Sequence, residues 1–367
     1  MKVYTLTTQY ANNMGALLQC YALSTYLNSL PGIECRVLQY LPRGYNRSWT
    51  IYHRPRTLRD FIKLIYESIR VDNQLVLYRK RKKMRKFISD FLPLSENQYK
   101  REDIVKEYPK ADAFIVGSDQ IWNFKLRKDL TYFLDFVKDD SCKKISYAAS
   151  IADNWSQEDI HTIKPVLTEF DNISIRERGN LECVNSAIDC NEASVVCDPV
   201  FLLKKSQWDK VRRDSPIDGP YILCYFLSVT PFAVETVNKI RTLTGYKVVH
   251  LNLNTLDKFN SDIVIREADP RDFIGLIANA AFVCTNSFHC SAFSIIYRKD
   301  FKFIPKHMAN ERVVQLESTF GINVIMTPEK LLQLKDSDLS TDYSNAKYGD
   351  KFIEFSKDFL KRALNAE

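Results

Sequence analysis

The residues best suited to chemistry follow a short apolar run that ends near residue 285. The segment reads Phe282-Val-Cys-Thr-Asn-Ser-Phe-His-Cys-Ser-Ala-Phe-Ser-Ile-Ile296, with a predicted strand ending near Thr285. Ser287 is a favourable N-cap for a helix that runs to about Arg298, and His289 then lies in the first helical turn. Helix N-termini attract anions, and histidine exchanges protons near neutral pH. We interpret His289 as an acid or base beside a bound phosphate or carboxylate. The alternative is a histidine packed at a helix start.

A second group of polar side chains follows another apolar run. The segment Val116-Gly-Ser-Asp-Gln-Ile-Trp-Asn123 places hydrogen-bonding groups beside an indole ring, and its glycine permits a sharp turn or a close backbone approach. Such a combination is typical of a sugar-binding surface. The candidate sugar contacts are Ser118, Asp119, Gln120, Trp122 and Asn123. The alternative is a turn with Ser118 as an N-cap and Trp122 in the core.

Two further polar segments follow predicted strands. Arg176, in the segment Ser-Ile-Arg-Glu-Arg-Gly, comes directly after an apolar run and is placed to clamp an anion. A surface ion pair with Glu177 is the alternative. The segment Asn-Asn-Met-Gly follows the first predicted strand, so Asn13 and the backbone of Gly15 are candidate ligand contacts. The alternative there is a strand–helix turn with an asparagine cap.

Strands and helices must position these groups, and the chain shows both in alternation. Short apolar runs rich in β-branched residues alternate with helical patterns, which favours a doubly wound α/β architecture with parallel sheets covered on both faces. The predicted strands are residues 3–8, 113–116, 145–149, 173–175, 195–197, 221–226, 247–251 and 281–285, and the first predicted helix is 15–30. Open α/β sheets bind ligands beyond the carboxyl ends of their strands, where the polar segments lie.

The length of 367 residues predicts two domains, because single hydrophobic cores rarely grow beyond about 250–300 residues. A turn-rich segment at 214–220 separates an N-terminal domain of residues 1–200 from a C-terminal domain of residues 215–345. An amphipathic helix follows over residues 350–367. Residues from about 40 to 110 are rich in aromatic and basic side chains and interrupt the alternation. We predict a mostly helical insertion in the first domain there.

The composition argues against several kinds of site. The nine cysteines are scattered, odd in number and without a C-x-x-C pair, which favours a reducing compartment, and no histidine shows zinc-ligand spacing with them. The ten glycines form neither a G-x-G-x-x-G nor a Walker loop, so a dinucleotide or ATP site is disfavoured. No signal-peptide pattern and no membrane-spanning apolar run is evident. We expect a cytoplasmic protein with no metal and no cofactor.

Much of the formal net charge of +7 lies in one stretch. Seven of the residues between Tyr78 and Lys86 are basic. They form either a solvated helix face, or a surface that docks peripherally on an anionic membrane or attracts an acidic substrate. No nucleic-acid partner is expected, because no nucleic-acid-binding module is visible and the aromatic residues do not interleave with the basic ones.

Taken together, the polar segments resemble the polysaccharide pyruvyl transferase family. Each piece is modestly specific, but their order and spacing cover about residues 1–322. The matching pieces are Asn13-Met-Gly-Ala-Leu-Leu-Gln19, Val116-Gly-Ser-Asp-Gln-Ile-Trp-Asn123, Ser146-Tyr-Ala-Ala-Ser150, Ser174-Ile-Arg-Glu177, Asp198-Pro199 and Asn279-Ala-Ala-Phe-Val-Cys-Thr-Asn-Ser-Phe-His289.

The resemblance implies two Rossmann-like domains facing each other across a cleft, as in GT-B glycosyltransferases. The N-terminal domain would hold the acceptor through the polar residues named above, and the C-terminal domain would hold the donor. His289 would then move a proton or contact the donor phosphate. The implied donor contacts are Arg176, Asn286, Ser287 and Arg312, with Lys306 as the alternative to Arg312. Ser287 stands where better-studied pyruvyl transferases have an arginine, and Cys290 where many have a glycine.

The leading hypothesis is a transferase that moves an enolpyruvyl-derived group from phosphoenolpyruvate onto a sugar, forming a pyruvate ketal in surface-polysaccharide synthesis. The acceptor would be a sugar or a lipid-linked oligosaccharide, which gives the basic stretch a reason to contact the inner face of a membrane. One alternative is a GT-B glycosyltransferase with a nucleotide-sugar donor. Another is a non-catalytic carbohydrate-binding protein.

Overall fold

The computed structural model describes residues 1–43, 71–188, 193–252, 259–306 and 311–366. The chain divides into two compact units. Unit 1 comprises Met1–Ser48, Ile88–Leu203 and Asp350–Glu367, and unit 2 comprises Trp49–Phe87 and Lys204–Gly349. Within the described residues, no helix combines the length and the apolar character needed to cross a membrane.

Unit 1 contains a five-stranded parallel sheet in the order β3-β2-β1-β4-β5. Its strands are β1 (Lys2–Leu6), β2 (Glu34–Tyr40), β3 (Leu94–Tyr99), β4 (Ala113–Val116) and β5 (Lys143–Ser146). A parallel pair, β6 (Ser174–Ile175) and β7 (Ser194–Val195), forms a separate two-stranded sheet. The helices introduced before residue 190 are α1 (Met14–Asn28), α2 (Val71–Phe91), α3 (Arg101–Ile104), α4 (Gln157–Leu167) and α5 (Leu181–Asn185).

Unit 2 repeats this plan with a second five-stranded parallel sheet, in the order β10-β9-β8-β11-β12. Its strands are β8 (Tyr221–Tyr225), β9 (Lys247–Leu251), β10 (Ile263–Ile265), β11 (Phe282–Thr285) and β12 (Phe301–Phe303). The helices that follow residue 203 are α6 (Lys205–Asp209), α7 (Pro231–Thr244), α8 (Pro270–Asn279), α9 (Phe288–Ile296), α10 (Glu311–Phe320), α11 (Pro328–Gln333) and α12 (Lys347–Leu364).

The apolar strands of both sheets form the centre of the hydrophobic core in each unit. All residues of β4, β8 and β11 are buried, as expected for parallel strands covered by helices on both faces. Local capping sets the helix starts: the side chain of Asn13 accepts from the backbone N–H of Ala16 at α1, and Asp269 accepts from Arg271 and Asp272 at α8. The predicted alternation of strands and helices is therefore confirmed.

Four strands of the two sheets, β2, β3, β10 and β12, are absent from the sequence predictions. Polar residues interrupt the apolar pattern of β2, and β10 and β12 are only three residues long. β3 lies at the sheet edge and exposes most of its polar side chains, so it carries little hydrophobic signal.

The prediction of a mostly helical insertion over residues 40–110 is right for α2 and wrong for β3, which extends the sheet of unit 1. Residues 44–70 lie outside the described residues. The part of α2 before Ile88 groups with unit 2 rather than with the first domain. Arg79 pairs with Glu267 at 3.3 Å, and the Lys83 ammonium donates to the carbonyl oxygen of Glu267 at 2.7 Å. The basic stretch is thus partly engaged with unit 2 and is not a uniformly solvated face.

The C-terminal helix α12 packs on unit 1 from Asp350 onward. The ring centroid of Phe359 lies 6.4 Å from that of Tyr147. The hydroxyl of Ser356 accepts from the backbone N–H of Cys197 at 2.9 Å, and the Lys143 ammonium donates to the carbonyl oxygen of Ala363 at 2.8 Å. The amphipathic pattern of residues 350–367 therefore indicates burial against the first half of the chain.

Candidate active site

The order in which the chain adds strands to the unit 2 sheet reverses between β8 and β11. β9 and β10 are added on one side of β8, and β11 and β12 on the other. Ligands of open α/β sheets bind at such a switch point, beyond the carboxyl ends of the strands. The Thr285 hydroxyl donates to the carbonyl oxygen of Tyr225 at 2.6 Å and ties the two strand ends together. Asn286 bridges the same two loops, accepting from the backbone of Leu227 at 2.7 Å and donating to Ser228 at 2.8 Å.

His289 lies in the first turn of α9, at this switch point. Ser287 is the N-cap in an extended conformation, and its side chain accepts from the backbone N–H of Cys290 at 3.5 Å. His289 is half-buried, with its ring edge-on to Phe288 at 5.3 Å. The predicted strand, polar turn and helix are confirmed. The helix ends at Ile296 rather than at Arg298, which adopts a left-handed conformation with φ of 49°.

Two cationic residues follow the strand beside β11. β12 pairs with β11 so that Phe303 is opposite Thr285, and the backbone N–H of Ile304 donates to the carbonyl oxygen of Thr285 at 2.8 Å. Lys306, just beyond, is exposed, and Arg312 is the half-buried second residue of α10. Residues 307–310 between them lie outside the described residues. The chain thus leaves β12 at the carboxyl ends of the strands, which is also where α9, the helix that carries His289, begins.

Unit 1 has an equivalent switch point between β1 and β4. The hydroxyl of Thr7 donates to the carbonyl oxygen of Ser118 at 3.0 Å, and the hydroxyl of Thr8 donates to the carboxylate of Asp119 at 2.9 Å. The loops approach closely, because a Cβ atom on Gly117 would lie 3.1 Å from the Cβ of Thr7. Glycine at 117 is therefore explained by packing between the two loops.

Asp119 holds a backbone conformation that non-glycine residues rarely adopt. Its φ is 74° and its ψ is 179°, in a region essentially restricted to glycine. Such strain costs about 1–3 kcal/mol and concentrates at functional sites. The carboxylate of Asp119 is half-buried at the carboxyl end of β4. The strain supports the prediction that this turn takes part in ligand binding.

Arg176 is buried in a network of charges in unit 1. Its guanidinium pairs with Glu177 at 3.1 Å and with Asp198 at 2.7 Å, and Ser118 donates to the same carboxylate of Asp198 at 3.3 Å. Burial alone would lower the pKa of Arg176, but the neighbouring carboxylates outweigh it and hold that pKa above its usual value. A surface ion pair between Arg176 and Glu177 was the alternative expected from the sequence; this ion pair forms, but it is buried in the interior. A donor-binding role for Arg176 stays a prediction.

The remaining predicted acceptor residues occupy different environments. Trp122 is fully buried: its ring stacks on Phe133 at 5.3 Å, and its indole N–H donates to the carbonyl oxygen of Tyr132 at 2.8 Å. The sugar-stacking interpretation is wrong for Trp122, because the core encloses both faces of the ring. Asn13 is the exposed N-cap of α1 and Gly15 is buried inside that helix. Gln120 and Asn123 are half-buried beside Asp119, within the same turn.

Sequence reasoning missed a cavity of about 710 Å³ in unit 1. It opens beyond the carboxyl ends of β1 and β2 and is lined by the loop of residues 7–12. A cluster of polar residues directly after β1, Thr-Thr-Gln-Tyr, was the available signal. Among the described residues, no group of three or more histidine, cysteine, aspartate or glutamate side chains is arranged to hold a metal ion.

The chain resembles solved structures over its whole length. The UDP-GlcNAc 2-epimerase from Neisseria meningitidis, bound to UDP-GlcNAc, superposes with a TM-score of 0.50 at 11% identity and 100% coverage of both chains. The UDP-GlcNAc 2-epimerase from Methanocaldococcus jannaschii gives a TM-score of 0.50 at 11% identity, with 97% of this chain and 99% of that chain covered. At such identities the likeness establishes the α/β fold of GT-B enzymes alone.

A search of curated proteins produced no match. The polysaccharide pyruvyl transferase family model, in contrast, matches residues 13–303. This match covers most of the chain and includes the α1 cap, the strained turn at Asp119, the Arg176 network and the histidine helix. The geometry and the match lead to one conclusion: the chain belongs to the polysaccharide pyruvyl transferase family, and it is a transferase.

Proposed function

We propose that the protein transfers an enolpyruvyl-derived group from phosphoenolpyruvate to a sugar, forming a pyruvate ketal during surface-polysaccharide synthesis. The observation that carries the proposal is the position of His289 in the first turn of α9, at the switch point of the unit 2 sheet. A helix N-terminus favours the phosphate and carboxylate of such a donor. Lys306 and Arg312, which follow the adjacent strand, would supply the positive charge that Ser287 does not.

The proposed reaction balances without a redox partner. A proton added to the methylene carbon of phosphoenolpyruvate makes its C2 electrophilic, and a sugar hydroxyl attacks C2. The bond from C2 to the phosphate oxygen then breaks, and a second hydroxyl of the same sugar closes the ketal. One hydroxyl proton ends on the new methyl group and the other on the released phosphate. His289 would move the proton, and the cations with the helix N-terminus would stabilise the leaving phosphate.

A nucleotide-sugar donor is the second candidate. The fold shared with an epimerase structure bound to UDP-GlcNAc favours it, since the diphosphate of such a donor would suit the same helix N-terminus. A third outcome is binding of carbohydrate without turnover of either donor.

The test is release of inorganic phosphate from phosphoenolpyruvate with a panel of nitrophenyl and lipid-linked sugars, with the ketal product identified by mass. The expected result is phosphate release that depends on a sugar bearing two suitably placed hydroxyls. Turnover of a nucleotide sugar, with none of phosphoenolpyruvate, would favour the second candidate. Glycan binding with no turnover of either donor would contradict both.

Peripheral contact with an anionic membrane is part of the proposal. Lys82, Arg85 and Lys86 are exposed on α2, whereas Lys80 is buried. Sedimentation with vesicles containing an anionic phospholipid should retain the protein at low salt and release it at high salt, because exposed charges are screened. Replacing these three exposed residues by glutamine should abolish the retention. Unchanged retention would contradict a role for α2.

A further inference from the structure

The cavity of unit 1 has the position and the size of a ligand site. It lies beyond the carboxyl ends of β1 and β2, and its volume of about 710 Å³ falls within the usual range for small-molecule sites, about 300–1,000 Å³. One wall is the loop of residues 7–12, which carries the Thr8 contact to the strained Asp119. Tyr40 and residues 126–130 also line the cavity. None of the acceptor residues predicted from the sequence lines it.

The cavity walls carry an excess of positive charge. Arg43, Arg101, Arg127 and Lys128 line it, against the single carboxylate of Asp129. That carboxylate is engaged within the wall, accepting from the Tyr40 hydroxyl at 2.6 Å and from the backbone of Thr131 at 3.1 Å.

The four cations are not equally available to a ligand. Arg101 is paired with Asp135, and Arg43 lies 3.9 Å from Glu102. Arg127 and Lys128 have no ion-pair partner among the carboxylates of the described residues. Arg127 instead lies over the ring of Tyr132 at 5.7 Å. An anion entering the cavity would therefore meet two cations that form no ion pair with a carboxylate of the described residues.

The wall also contains a buried hydrogen-bond acceptor to which no described residue donates. Gln9 is 1% exposed, and its amide nitrogen donates to the carbonyl oxygens of Leu38 at 2.9 Å and Tyr40 at 3.1 Å. These two carbonyl oxygens fix the orientation of the amide, so the acceptor is its Oε1 atom. In the part of the chain that the structure describes, neither Gln9 Oε1 nor Asn12 Oδ1 has a hydrogen-bond partner. Buried acceptors without partners are rare, and a hydroxyl donor from a ligand would satisfy them.

From these features we propose that the unit 1 cavity binds a sugar bearing an anionic group, a phosphate or a carboxylate. Sugar hydroxyls donate to Gln9 and Asn12, and the anionic group contacts Arg127 and Lys128. The assignment of this ligand as the acceptor rests on the proposed function. The acceptor substrate is then an acidic or phosphorylated sugar, and a neutral free sugar is a poor acceptor substrate.

Calorimetric titration of the full-length protein tests the charge requirement. The probes are N-acetylglucosamine 1-phosphate, glucuronic acid, N-acetylglucosamine and inorganic phosphate. We expect at least one of the two anionic sugars to bind ten-fold or more tightly than the neutral sugar and than phosphate alone, and the better of the two identifies the anionic group. Equal affinity for neutral and anionic sugars would overturn the proposal, as would inorganic phosphate binding as tightly as the sugar phosphate.

Variants locate the binding in the cavity. Arg127→Ala with Lys128→Ala should weaken binding of the anionic sugar at least ten-fold. The matched control is Lys125→Ala, because this lysine of the same loop is 60% exposed, pairs with Asp153 and lies outside the cavity. Asn12→Ala should weaken the anionic sugar while leaving inorganic phosphate unaffected. Equal losses in the double variant and in the control would overturn the proposal.

Binding to the cavity and turnover of phosphoenolpyruvate are measured separately, so the binding site and the proposed reaction can be tested independently. Anionic-sugar binding at Arg127 and Lys128 without phosphate release from phosphoenolpyruvate would contradict the proposed reaction and leave the site intact. Displacement of the anionic sugar by phosphoenolpyruvate, with loss of phosphoenolpyruvate binding in the double variant, would overturn the acceptor assignment.

Discussion

The hydroxyl of Thr8 donates to the carboxylate of Asp119 at 2.9 Å, across the switch point between β1 and β4. These residues are far apart in the chain, and the bond joins the loop that lines the unit 1 cavity to the turn that carries the strained aspartate. Because Asp119 has a φ of 74°, its side chain is held there at a conformational cost. Because glycine would be unstrained in this conformation, we expect the carboxylate itself to be needed.

The strain at Asp119 predicts an unusual ranking of two variants. Asp119→Ala loses the Thr8 bond and keeps the strain, whereas Asp119→Gly loses the bond and relieves the strain. We expect the glycine variant to have a free energy of unfolding about 1–2 kcal/mol higher than the alanine variant, measured by urea denaturation. Both variants should lose activity if the carboxylate is needed. An alanine variant as stable as the glycine variant would show that the conformation is unstrained.

The buried charges around Arg176 predict a large loss of stability in Arg176→Met. The substitution leaves Glu177 and Asp198 buried without their cation, and breaking a buried pair typically costs about 3–5 kcal/mol. Guanidinium denaturation should show this loss, whereas the exposed control Arg178→Ala should change stability by no more than about 0.5 kcal/mol. Reduced activity with an unchanged unfolding midpoint would instead favour a direct donor-binding role.

His289→Ala should abolish turnover and leave the melting temperature nearly unchanged, because the side chain is half-buried and the cap on α9 is provided by Ser287. Loss of a general acid or base typically reduces the rate about 10²–10⁴-fold. The matched control is His161→Ala, an exposed histidine on α4. A large drop in melting temperature for His289→Ala would point to a packing role, and full activity would exclude a role in proton transfer.

His250 predicts a pH dependence of stability in unit 2. Its side chain on β9 is buried against Phe259, and burial lowers its pKa from 6.5 to about 4. The unfolded chain therefore binds a proton between pH 6.5 and 4 that the folded chain does not. Stability from this residue is fully present above pH 6.5 and is lost as the pH falls toward 4, by at most about 1.4 kcal/mol per pH unit.

The measurement is urea unfolding at several pH values between 7.5 and 4.5 for the wild type and for His250→Gln. The variant cannot take up the proton, so its curve should be flatter by the His250 contribution, and other titrating groups cancel in the comparison. Parallel curves would contradict the burial of a neutral imidazole.

Features that depend only on neighbouring residues were predictable from the amino-acid sequence. The end of β11 near Thr285, the Ser287 cap and the placement of His289 in the first turn of α9 were all predictable, because strand pattern and capping act within a few positions. The family was recognisable for a related reason: its motifs are short segments in a set order, and the matched range of residues 13–303 contains them.

Contacts between residues that are distant in the chain became visible in the folded protein. The pairing of Arg176 with Asp198, the bond from Thr8 to Asp119 and the burial of Trp122 depend on strand order and packing, which local patterns do not encode. Polar edges and very short strands such as β3 and β12 likewise form because neighbouring strands pair with them. The cavity beside Gln9 exists because β1 and β2 lie next to each other, and no single segment of the sequence specifies that contact.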